Sequence, residues 1–303
     1  MPSPPIADLD VDITVVDSSS DPIVSRLDDL RVRLLGLGSV VVAFSGGADS
    51  AFLLAAAIRA LGADRVVAAT AVSSSLPQAE LAAARAFAAD LGVRHEMPST
   101  HEMEREGYRA NTGARCYFCK AELVEVLLPL LPVLGIRAVA TGTNADDARA
   151  GFRPGIRAAA ERGAVTPLLD AGLTKEQIRA ASRTWGLATW DKPAAACLSS
   201  RVAYGIEVTP TRLARVERAE VALRGLLSKR QVGFGNVRVR DLGEEARVEL
   251  DSEVASRVLS SSQLVAAVVE VVETAGFSTV VVDPDGFRSG SMNELLAEPE
   301  RFR

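Results

Sequence analysis

The segment Ser45-Gly46-Gly47-Ala48-Asp49-Ser50 constrains this chain more than any other stretch. It follows directly on the apolar run SVVVAF, residues 39–44, which reads as a buried strand, and it precedes residues 49–61, whose alanine- and leucine-rich spacing predicts a helix. A strand that passes through two glycines into a helix builds an anion cradle. The glycines let the backbone turn tightly and approach a phosphate, and the helix N-terminus offers free N–H donors and a partial positive charge. Ser45 and Ser50 add hydroxyl donors, and Asp49 brings a carboxylate suited to holding Mg2+ or to fixing the shape of the loop. An ordinary βα turn with a Ser/Asp cap would use the same residue types. The chain contains no G-x-x-x-x-G-K-[ST], so the loop is not of the kinase or GTPase kind.

Around this loop the pattern alternates. Strand-like residues 65–71 and 137–142 are interleaved with helix-like residues 77–91, 116–131 and 174–186, the last opening at Thr174 and closing at Gly186. That rhythm predicts parallel βαβ units, an α/β class with a parallel sheet. After Gly205 the order changes to a helix over 210–228, strands over 237–242 and 246–251, two helices over 252–275 and a strand over 278–284, which reads as a smaller C-terminal α+β lobe. The organisation expected is a loose Pro-, Ser- and Asp-rich extension over 1–21, a nucleotide-handling domain over 22–204 and the α+β lobe over 205–303, the helical spacing of Ile23, Leu27, Leu30 and Leu34 marking where folding begins. With 303 residues, 48 % of them hydrophobic, the chain is long enough for two such lobes.

Bulk properties exclude some roles. No apolar run approaches the roughly 20 residues of a membrane helix, and the N-terminus lacks a basic region, so the expectation is a cytoplasmic protein with no membrane partner. A net charge of −5 argues against nucleic acid as the main partner, since phosphate neutralisation leaves a basic stripe. The three cysteines, an odd number, fit a reducing compartment and cannot complete a disulfide framework.

Cys116 and Cys119 stand three apart near a helix start, so both thiols can face one side; Cys197 stands alone. A C-x-x-C pair has three chemical readings, namely a redox dithiol, half of a zinc site, or iron–sulfur ligands. Plain core thiols are a fourth. Zinc is disfavoured because the only histidines, His95 and His101, carry no ligand spacing.

The order SGGxDS after VVVAF resembles the pyrophosphate loop of the N-type ATP pyrophosphatases, which include NAD synthetase, GMP synthetase and tRNA thiolases. The resemblance implies an adenine nucleotide alpha-hydrolase-like (PP-loop, HUP) fold. It also implies cleavage of ATP between its α and β phosphates, with AMP passed to a carboxylate or carbonyl oxygen. SGGADS, RCYFCK (115–120), GTNADD (142–147), RPGIRAAAE (153–161), WDKPAAACLSSR (190–201) and DGFRSGSMNEL (285–295), taken in order, are similar to the LarE family of ATP-dependent sulfur transferases. Membership implies adenylation and sulfuration of the carboxylates of pyridinium-3,5-dicarboxylic acid mononucleotide, a step in making the nickel-pincer nucleotide of lactate racemase. The implied cofactors are ATP and Mg2+, and the implied state is a homo-oligomer. Some members of the family give up the sulfur of a cysteine at the position of Cys197. Others hold a [4Fe-4S] cluster on three cysteines, and the expectation here is a cluster on Cys116, Cys119 and Cys197, with a sacrificial Cys197 as the alternative.

Further candidates follow from position. Arg201 can neutralise a substrate phosphate or carboxylate, or form a surface ion pair. Asp146 and Asp147 follow the strand over 137–142, where carboxylates bind Mg2+, position ATP or cap a helix. Arg238 and Arg240 alternate along a strand and share a face, as a phosphate-binding pair or a solvated edge would. Glu220 is a candidate for a metal or substrate site. Trp185 and Trp190 read as core and interface residues rather than stacking platforms. Two features depart from the family pattern: the longer polar N-terminal extension, and added length at SKRQVGFG (228–235), which loosens the alignment of Glu220 with Arg238. The competing functions are a tRNA thiolase, an amide-forming synthetase for which Cys197 would be dispensable, and a nucleotide-binding module that releases no pyrophosphate.

Overall fold

The computed structural model describes residues 22–149, 153–193, 196–288 and 290–292, so the extension expected over residues 1–21 and the end of the DGFRSGSMNEL string lie outside the described residues. The chain divides into two compact units. The first comprises residues up to Ser73, Gln78–Thr100 and Cys119–Ala195; the second comprises Ser74–Pro77, His101–Phe118 and residues from Ala196 onward. A single boundary at residue 204 was expected. The division instead falls just before Ala196, and two earlier segments join the second unit.

The first unit is built on four parallel strands, β1 (Val40–Ala43), β2 (Val66–Ala69), β3 (Arg94–Glu96) and β4 (Ala138–Thr141), in the order β3-β2-β1-β4. Val40 to Ala43 align with Val66 to Ala69 on one side and with Ala138 to Thr141 on the other. Because side chains alternate across a strand, the same strands feed two cores. Val40, Val42, Val66, Ala68 and Ala140 pack with the helices Pro22–Leu37, Ala48–Leu61 and Lys175–Thr184. Val41, Val67, Ala69 and Val139 pack with Val124 and Leu127 of the helix Arg115–Leu127. β1, β2 and β4 therefore read as nearly continuous apolar runs, as expected of parallel strands covered on both faces, whereas the edge strand β3 is polar. The helix Ala48–Leu61 is buried on most of its circumference, which its run FLLAAAI allows.

Sheet order decides where a ligand can sit. The chain leaves β1 toward β2 on one side and later returns to β4 on the other, so the C-terminal end of β1 is a topological switch point. The Gly46-Gly47 turn occupies that end.

The second unit has three strands, β5 (Val237–Asp241), β6 (Glu245–Leu250) and β7 (Thr279–Val282), with β5 antiparallel and β7 parallel to β6. The helix Pro210–Lys229, capped by Thr209 and with Pro at its first position, packs on β5 through Leu213, Val216, Leu223 and Leu227. The two helices expected over 252–275 are Ser252–Leu259 and Ser262–Thr274, the second capped by Ser261. The helix expected over 116–131 stops at Leu127, before Pro129. Among the described residues no single helix is long and apolar enough to cross a membrane.

Candidate active site

The Gly46-Gly47 loop is held by its own serines. Ser50 Oγ accepts a hydrogen bond from Ser45 N at 3.3 Å, donates to the Gly47 carbonyl at 3.1 Å and lies 3.1 Å from Ser45 Oγ. Gly46 adopts φ +73°, a left-handed conformation that glycine adopts without cost. No side chain caps the helix that starts at Ala48, so its first amides point out of the turn without an internal partner. Gly142, just past β4, fixes the approach of this turn to the sheet. A Cβ on Gly142 would come within 2.9 Å of Ser50 N and 3.0 Å of Ser50 Cα, so a side chain there would push the cradle away.

Asp49 is the electrostatic centre of the loop. One of its carboxylate oxygens, Oδ1, is buried with no hydrogen-bond partner. Burial pushes its pKa above the ordinary aspartate value and Asp147 adds to that push, while Lys175, the Asn144 side chain and Arg179 pull the other way. A buried acceptor without a donor is costly, and a divalent cation bound with nucleotide would satisfy it. The donor chemistry therefore fits Mg2+ at Asp49. Asn144, which the sequence reading passed over, organises the adjoining turn: its Oδ1 accepts from Asp146 N at 2.9 Å and Asp147 N at 3.1 Å. Asp146 accepts from Lys175 N at 2.8 Å, and Asp147 accepts from Asn144 N and pairs with Arg153 at 3.6 Å. Asp146 thus ties one helix start to another, and Asp147 faces Asp49.

In the second unit, Cys116 and Cys197 lie near Arg115. Its guanidinium is buried and donates to Asn111 Oδ1 and to the Ser199 carbonyl. Asn111, at φ +51°, donates in turn to the carbonyls of Ala203 and Ile206 at 2.8 and 2.9 Å. Burial works against the Arg115 cation, but Cys197, Cys116, Tyr204 and Tyr108 outweigh it and hold its pKa above the ordinary value. None of the three cysteines is in a disulfide: Cys116 is exposed, and Cys119 and Cys197 are half-buried, so none is a fully buried core thiol. Cys119 lies one turn beyond Cys116 on the helix Arg115–Leu127. Three thiols form a donor set suited to iron–sulfur ligation. Among the described residues no group of three or more His, Cys, Asp or Glu side chains is drawn together as a metal site.

Arg201 and Glu220 form a buried two-pronged ion pair, with Nε–Oε1 at 2.9 Å and Nη2–Oε2 at 3.2 Å. The same guanidinium donates to the Cys197 carbonyl at 2.9 Å, and Glu220 also accepts from Val239 N at 3.2 Å. Arg201 is therefore a buried brace for the Cys197 turn, with its charge balanced by Glu220. Arg240 pairs with Glu249 and donates to the Ser200 carbonyl at 3.3 Å. Both Arg238 and Arg240 are buried, so β5 is not a solvated edge. Arg238 is pushed down to about 10 by burial and by the cations Arg201, Arg224 and Arg240, with only Glu220 opposing.

In comparisons with known proteins, a family model described as NAD synthase matches residues 24–112. The chain is 42 % identical over 274 residues to an uncharacterized protein of Synechocystis sp., covering 90 % of this chain and 99 % of the relative. It is 33 % identical over 272 residues to the pyridinium-3,5-bisthiocarboxylic acid mononucleotide synthase of Lactiplantibacillus plantarum, covering 89 % of this chain and 95 % of the relative. A shorter match, 41 % identical over 80 residues, is to an NH(3)-dependent NAD(+) synthetase of Chlorobaculum tepidum, covering 24 % of this chain and 27 % of that protein.

Two predictions follow from the electrostatics. Because the folded pKa of Asp49 lies above its unfolded value, its ionisation costs stability once pH rises through the unfolded value and then the folded one. Asp49→Asn is expected to melt higher than wild type at neutral pH, to match it below about pH 4, where aspartate is protonated, and to lose Mg·ATP-dependent stabilisation. Equal melting at neutral pH with nucleotide stabilisation retained would contradict this role for Asp49. Arg201→Ala, which strands Glu220, is expected to cost about 3 to 5 kcal/mol in urea unfolding, and Arg201→Met combined with Glu220→Leu to recover most of it. A double variant no more stable than the single one would show that the pair is not the source of the loss.

Proposed function

The chain belongs to the LarE family of ATP-dependent sulfur transferases, within the PP-loop ATP pyrophosphatases, and on that footing we propose that it adenylates the carboxylates of pyridinium-3,5-dicarboxylic acid mononucleotide and sulfurates them. The observation that supports this reading best is the presence, in one chain, of an ATP loop with an unsatisfied Asp49 oxygen and of Cys116 and Cys197 beside a buried guanidinium.

The chemistry divides accordingly. A bare carboxylate cannot expel oxide, so it must first be given a leaving group. A substrate carboxylate oxygen attacks the α-phosphorus of ATP, the bond to the β-phosphate oxygen breaks, and pyrophosphate departs. The Gly46-Gly47 turn and the amides of the helix Ala48–Leu61 hold the phosphates, and Asp49 is the residue that would hold Mg2+ there. A sulfur nucleophile then attacks the acyl carbon, and AMP leaves with the former carboxylate oxygen. Arg115 places a buried cation near Cys116 and Cys197, and Arg238 with Arg240 is assigned to the phosphate of the substrate nucleotide.

Cys116, Cys119 and Cys197 are the residues that would hold a [4Fe-4S] cluster, which when bound would supply hydrosulfide as the sulfur nucleophile. In the alternative, Cys197 itself is the donor and becomes dehydroalanine when its Cβ–S bond breaks. Anaerobic purification with iron and acid-labile sulfide analysis separates them. About four irons per chain are expected in wild type and none in Cys119→Ala. If no iron binds after reconstitution, the cluster assignment fails, and incubation with ATP and substrate should then leave a Cys197 lighter by one hydrogen sulfide. An iron-free protein with an unchanged mass and no thiocarboxylate product would overturn the sulfur-transferase reading.

A further inference from the structure

We propose that Lys192 is the residue that binds and neutralises the pyrophosphate leaving group, with Glu80 holding its ammonium on the loop until nucleotide arrives. The proposal rests on the adenylation reading above and adds a residue to it.

Lys192 Nζ donates to the carbonyl of Gly46 at 2.9 Å and to a Glu80 carboxylate oxygen at 2.7 Å. These two acceptors occupy two of the ammonium's three N–H bonds, leaving one directed elsewhere. The ammonium stands against the face of the loop that carries no side chain. A Cβ built on Gly46 would lie 3.8 Å from Nζ and 3.4 Å from the Ala84 Cβ. The lysine's own backbone is fixed, since Arg179 Nη2 donates to its carbonyl at 2.9 Å and its amide donates to the Thr189 carbonyl at 3.2 Å. The pair is sheltered yet reachable, with side-chain exposures of 21 % for Lys192 and 25 % for Glu80.

The charge at this loop calls for such a group. Asp49 and Glu80 are both anionic neighbours of a turn meant to take a polyanion, and Lys175 and Arg179 already act on Asp49. Lys192 is the cation hydrogen-bonded to the glycine turn itself. As the α-phosphorus changes partners, the electron pair of the breaking P–O bond goes to pyrophosphate, whose negative charge rises by one. A pre-positioned ammonium stabilises that developing charge without moving a proton. Glu80 keeps the ammonium aimed in the free protein, and it yields to the stronger phosphate acceptor.

Calorimetric titration of the full-length protein with inorganic pyrophosphate and, separately, with AMP tests the assignment. Lys192→Met is expected to weaken pyrophosphate binding at least tenfold while AMP binding changes less than twofold, Lys192→Arg to recover part of the loss, and Glu80→Gln to tighten pyrophosphate binding. Substrate-dependent pyrophosphate release by Lys192→Met should fall about 100-fold. Unchanged pyrophosphate affinity in Lys192→Met would overturn the proposal, as would an equal loss of AMP and pyrophosphate affinity, which would mark Lys192 as merely structural. If wild type binds pyrophosphate through Lys192 but releases none with the dicarboxylate nucleotide, the substrate reading fails and the Lys192 assignment stands.

Discussion

The close approach of Gly142 to the first turn of the helix Ala48–Leu61 is the constraint on which the nucleotide site depends. It brings the end of β4 against Ser50 and Asp49, so the loop after β1 cannot relax away from the sheet. The switch in strand order opens the crevice, the two glycines shape it, and the missing Cβ at Gly142 keeps it open. Asp49 is then held in a place that penalises its charge, which leaves an acceptor ready for a cation. A loop built for stability alone would satisfy that oxygen. Strain and unsatisfied charge of this kind belong to sites that bind something.

A parallel logic governs the second unit. Arg201 and Glu220 cancel each other in the interior, and the guanidinium also grips the Cys197 carbonyl. A buried pair of this type contributes little net stability but fixes geometry, here the turn that presents Cys197. Arg115 holds the same turn through a second contact, donating to the Ser199 carbonyl. The turn that presents Cys197 is thus held by two different arginines.

Local features of this architecture were legible in the sequence, and long-range ones were not. The Gly-rich loop, the Thr174 cap and the shared face of Arg238 and Arg240 each rest on residues a few positions apart, and periodicity or turn chemistry exposes them. The added length at 228–235 likewise corresponds to a turn, with Gln231 at φ +53°, between the helix Pro210–Lys229 and β5. By contrast, Lys192 acquires its meaning from Gly46, far away in the chain, and a lysine beside a proline carries no such signal. Arg115 stood next to a recognised cysteine but was hidden by it, because only burial distinguishes it from a surface arginine. The short strand β3 and the assignment of His101–Phe118 to the second unit also escaped, since neither has an apolar period of its own. Asn144 was the nearest miss: an asparagine ahead of a helix start is a known turn former, and the aspartates after it drew the attention instead.

The account turns on one claim, that ATP is spent to make a leaving group of a carboxylate oxygen before sulfur arrives. Carboxylate-18O-labelled pyridinium dicarboxylic acid mononucleotide, incubated with the protein, ATP and a sulfide source, tests it directly by mass spectrometry of the AMP. The account predicts one heavy oxygen in AMP for each sulfur gained by the substrate. Unlabelled AMP alongside thiocarboxylate product, or label in pyrophosphate, would contradict it.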